Sequence, residues 1–117
     1  GVVRRQLNRS ASFVKRNERR TIEKNAMNYE IKIAELAETF PTLQGAPLRP
    51  WNAEKFDAWA CNEVSSGLQH AARFILAVWA AHVSWRMGRF DAVNAIAAWD
   101  RAHREAFIAW CSSPWWH

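Results

Sequence analysis

The stretch Leu68–Met87, LQHAARFILAVWAAHVSWRM, decides the fold. Leu68, Ala71, Ala72, Ile75, Trp79 and Val83 recur at helical spacing on one face, and Phe74, Val78 and Trp85 carry the apolar surface round the side. A helix apolar over most of its circumference is a central, buried one. Its most apolar run, Phe74 to Ala81, is only eight residues long. A membrane span needs about 20 such residues, so no membrane association is expected. Gly88 follows as the residue that supplies a positive φ after the helix end.

Towards the C-terminus, Asp91 is placed to cap a further helix over Ala92–Cys111. Its stripe is Val93, Ile96, Trp99, Asp100, His103, Phe107 and Trp110. The end, Ser112-Ser113-Pro114-Trp115-Trp116-His117, supplies paired indoles that either close the open end of a small bundle or act as a contact surface. Towards the N-terminus, Ser65-Ser66-Gly67 marks a break. Before it, Asn52 caps a helix to about Ser65 with Phe56, Trp59, Ala60 and Val64 on one side. Residues 41–51 hold three prolines and a glycine and read as a connector without regular structure.

The first segment has another character. Ile22, Ala26, Tyr29, Ile33, Leu36 and Phe40 form a heptad seam, on a helix expected over about 10–40, begun at Ser10 or Ser12 and ended by Pro41. At 1.5 Å per residue such a helix spans roughly 42 Å, against a radius of gyration near 13 Å for a compact domain. It therefore projects as an arm or packs on a partner. The expected fold is all-α, a three-helix body over about 51–117 plus this long basic helix. The division is 1–40 arm, 41–51 connector, 52–117 tryptophan-rich body.

Composition agrees with one globular domain: 117 residues, 50% apolar, 23% charged, four glycines and four prolines. Eight of the residues are Trp, all in or beside the expected body. Cys61 and Cys111 stand without metal spacing and read as two buried thiols of a cytoplasmic protein. The basic start lacks an apolar run after it, so no signal peptide is expected.

The net charge of +5 is unevenly spread. Residues 1–24 carry eight Lys and Arg against two Glu, or +6, and residues 25–117 carry −1. On a helical wheel Arg5, Arg9, Arg16, Arg20 and Lys24 fall within about 100° of one another. These five lie opposite the seam, and Lys15 and Arg19 assist them. Arginine's planar fork donates two parallel hydrogen bonds to phosphate. The expected partner is thus nucleic acid, DNA or RNA, or another polyanion. With no base-reading motif present, the contact would be sequence-independent. The alternative is a protein-interaction or self-assembly module, a possible homodimer. It would use Ile22, Tyr29, Ile33 and Leu36 of the seam with Trp115 and Trp116.

Enzyme chemistry finds little purchase. Asp100 and His103 share a face three residues apart and could form a general acid–base pair. A buried polar pair, or Asp100 capping a helix restarted after Trp99, accounts for them better, since helix caps and satisfied core polar groups are common. No nucleophile is tied to them by a motif. His70, His82 and His117 have no metal-ligand spacing, and the glycines stand apart, so neither a metal nor a nucleotide loop nor any cofactor is expected. A non-enzymatic binding protein is the resulting expectation.

Overall fold

A computed structural model of the chain describes residues 26–117. Over these it is all-α, with five helices and no strand. Helix α1 occupies residues 26–38 and is followed by a short 3₁₀ turn, Pro41–Leu43. Then come α2 (Ala53–Cys61), α3 (Ser66–Ala80), α4 (Ala92–Ala98) and α5 (Arg101–Ser112). The basic half of the expected long helix, with Arg5, Arg9, Lys15, Arg16, Arg19, Arg20, Ile22 and Lys24, lies outside the described residues.

Each of the last four helices starts at a side chain that satisfies an orphan N–H of its first turn. Asn52 accepts from Lys55 N at 3.0 Å, Ser65 from Leu68 N at 3.3 Å, Asp91 from Asn94 N at 3.0 Å and Asp100 from His103 N at 3.0 Å. Asp100 corrects the single helix expected over 92–111. Trp99 is extended, at φ −77° and ψ 146°, and Asp100 caps a new helix. The body therefore has four helices instead of three. The break has a packing cause: Trp99 is 3% exposed, and its indole N–H donates to the Gly67 carbonyl at 3.0 Å. A continuous helix would carry that indole away from the core. Val93 and Ile96, placed on the apolar stripe of the expected helix, are exposed, and Ala95 takes the buried position.

Two more boundaries move. Helix α2 stops at Cys61, and Val64 is solvent-exposed because Ser65 already caps α3. Helix α3 stops at Ala80, so Val83 and Trp85 lie in a loop. The Ala80 carbonyl is satisfied there by Val83 N at 3.2 Å and by the Trp85 indole N–H at 3.0 Å.

The core is centred on α3. Ala71, Ala72, Phe74, Ile75, Leu76 and Val78 are all buried. Phe74 is the hub, with ring centroids at 5.1–5.6 Å from Phe40, Phe90, Phe107 and Trp110. Edge and tilted ring pairs of this kind add about 0.5–1.5 kcal/mol each beyond area burial. The connector is part of the core: Leu43, Leu48 and Trp51 are buried, and residues 41–43 are helical. Helix α1 lays Ile33, Ala34 and Ala37 onto the body, the two alanines allowing close approach, and Phe40 just past its end is buried with them. The cysteines correct another expectation, since Cys61 and Cys111 are free but exposed. No helix among the described residues is long and apolar enough to cross a membrane.

Candidate functional site

The structure brings two groups of polar side chains together and leaves the basic row undescribed. The first group surrounds His103, which is 4% exposed. Its Nδ1–H donates to Asp100 Oδ1 at 2.7 Å, because the carboxylate can only accept. Its Nε2 then accepts from the Thr42 hydroxyl at 2.8 Å. The ring is held against Phe40 and Trp99 at centroid distances of 5.9 and 6.2 Å. The bond from the His103 backbone N–H, then that from the ring, hold the Asp100 carboxyl below its usual range, with Arg104 adding to this.

Hydroxyl, imidazole and carboxylate in this order resemble an acyl-transfer relay. Here each member also holds structure: Asp100 caps α5, Thr42 lies in the 3₁₀ turn, and His103 ties the two together. Neither cleft described below is lined by any of the three.

The second group lines a cleft of about 620 Å³ between the later turns of α3 and the loop 81–90. Arg73, His82, Ser84, Trp85, Arg89 and Phe90 line it, and among the described residues no carboxylate does. The loop is anchored from beneath. Asp57 on α2 is 5% exposed, and its carboxylate accepts from Arg86 N at 2.9 Å and Met87 N at 3.0 Å. Arg73 Nε donates to the Met87 carbonyl at 2.7 Å. Cys61 Sγ donates to Met87 Sδ at 3.5 Å. Gly88 turns the chain at φ +85°, a value that favours glycine. A smaller depression of about 180 Å³ lies between α1 and the connector, beside Met27, Ile31 and Trp51.

The remaining sequence candidates are placed as follows. Ile33 is fully buried, and Leu36 packs against the same core. Tyr29 is half-buried, 6.2 Å from the Trp115 ring and 5.4 Å from the His117 ring. Trp115 also receives Lys32 Nζ over its face at 4.6 Å. His117 stacks on Trp79 at 3.8 Å, and its backbone N–H donates to the Val78 carbonyl at 3.2 Å. The C-terminal segment is thus a strap across α1 and α3. Only Trp116 of the terminal indoles stays exposed, at 59%.

Sequence reasoning missed the cleft and Asp57. Asp57 meets its partners 29 and 30 residues away, and no periodicity reports such a contact. Among the described residues no group of three or more His, Cys, Asp or Glu could hold a metal. No family model, curated protein or solved structure matches the chain.

Proposed function

We propose that this is a non-enzymatic nucleic-acid-binding protein whose basic N-terminal segment contacts phosphates without sequence specificity. The observation that carries this reading is the segregation of charge: +6 in residues 1–24 against −1 in the rest of the chain. Arg5, Arg9, Arg16, Arg20 and Lys24 are the phosphate-contacting residues, with Lys15 and Arg19 beside them. Self-assembly through the seam has less support, because Ile33 and Phe40 are already spent in the chain's own core.

Each phosphate neutralised releases counterions, so log K falls with log salt at a slope of about −0.9 per phosphate on duplex DNA. Fluorescence polarisation with labelled duplex and single-stranded probes is expected to show binding that weakens steeply with salt. The double variant Arg16→Glu, Arg20→Glu is expected to abolish it. Unchanged affinity in that variant, or binding indifferent to salt, overturns the proposal.

A further inference from the structure

The cleft beside the loop 81–90 has no part in the N-terminal reading. We propose that it binds a nucleoside monophosphate moiety, the phosphate held by Arg73 and Arg89 and the base laid against Trp85.

Charge is the first support. Two arginines line one cleft, and among the described residues no carboxylate does. Among the described residues neither Arg73 nor Arg89 belongs to an ion pair. Among the described residues Arg73 uses only Nε, on the Met87 carbonyl, which leaves its two terminal nitrogens for a ligand. Their planar forks suit phosphate oxygens. His82 and Ser84 line the same cleft and can donate hydrogen bonds.

The second support is the indole. Every other tryptophan of the chain has an aromatic ring partner, while Trp85 has none among the described residues. Its N–H is fixed on the Ala80 carbonyl, so the ring is held in place at the cleft wall. A fixed, unstacked indole beside arginines in one cleft is an arrangement on which a base can stack.

The third support is preorganisation. Exposed loops are ordinarily mobile. This one is held by a buried carboxylate, an arginine and a glycine turn, so little ordering entropy would remain to be lost on binding. The volume, about 620 Å³, lies within the roughly 300–1,000 Å³ of small-molecule sites. The moiety has two sources, a free mononucleotide or the 5′-phosphorylated end of a strand, and both present the same chemistry.

The test is a titration of the full chain with adenosine 5′-monophosphate, adenosine and inorganic phosphate, followed by amide and indole N–H NMR shifts. Adenosine monophosphate is expected to bind at least tenfold more tightly than adenosine, with shifts centred on residues 81–90 and the Trp85 indole. Arg89→Glu, an exposed change that removes no hydrogen bond within the fold, is expected to weaken it at least tenfold with an unchanged melting temperature. Trp85→Leu is expected to lose the advantage of the nucleotide over inorganic phosphate while still binding phosphate. Equal binding of nucleotide and nucleoside, shifts centred elsewhere, or an Arg89→Glu protein that binds as before overturns the proposal. A 5′-phosphorylated dinucleotide that competes with the mononucleotide assigns the site to a strand end. Exclusion of the dinucleotide assigns it to the free mononucleotide. Repeating the titration on the Arg16→Glu, Arg20→Glu variant keeps the two proposals apart, since the cleft uses neither residue.

Discussion

Single residues set the details that the rest of the molecule depends on. Asp57 shows this best: a carboxylate buried on α2 takes two backbone N–H groups of the loop 81–90 and so fixes a cleft wall. A buried N–H left without a partner costs about 1–3 kcal/mol, which is why a charge is tolerated at this depth. His70 offers a test by pH. Partial burial holds its imidazole below the ordinary histidine value, Arg73 adds to this, and Asp91 opposes it. The folded chain then binds this proton less readily than the unfolded chain does. Stability from His70 is present in full above the unfolded value of about 6.5 and is lost as pH falls through that value to the lower folded one. The expected outcome is a denaturation midpoint that declines from pH 7.5 to 5, with a shallower decline in His70→Gln. Parallel curves for the two proteins would refute it.

At the scale of elements, two of the capping side chains were legible in advance and the lengths were not. Asn52 and Asp91 begin helices where their side chains can accept a first-turn N–H, a local effect that sequence reports directly. Helix ends moved because distant groups compete for them. Trp99 leaves the helix to reach Gly67, and the Trp85 indole closes α3 at Ala80. The seam of α1 was visible as a periodicity, but periodicity does not say what covers it. Ile33 is fully buried within the chain. Ile33→Asp is therefore expected to unfold the body, at more than about 3 kcal/mol for an unpaired buried charge and a lost apolar contact. Circular dichroism with urea checks this. A variant that stays folded and merely loses a dimer mass in light scattering would show that the seam serves a partner chain.

For the whole molecule, the division between a charged segment and an aromatic body is the main claim. The described core begins at Ile33, and the seven basic candidates lie outside the described residues. Replacing Arg5, Arg9, Lys15, Arg16, Arg19, Arg20 and Lys24 by Gln is expected to abolish nucleic-acid binding and leave the melting temperature within about 2 °C, since surface changes usually stay within ±0.5 kcal/mol. A large fall in melting temperature would show that the segment belongs to the fold.

The sequence alone determined the all-α class, the central helix, two of the caps and the charge asymmetry. These follow from spacing and composition, which act over a few residues. It also showed that the tryptophans are body material, and all but Trp116 do pack against the core. Tertiary structure decided the rest. It broke the last helix at Trp99, drew Leu43, Leu48 and Trp51 of the connector into the core, and strapped the C-terminus across α1 and α3. It also placed Arg73, Trp85 and Arg89 around one cleft. Those outcomes depend on which buried groups find partners at long sequence separation, and only the packed chain settles that competition.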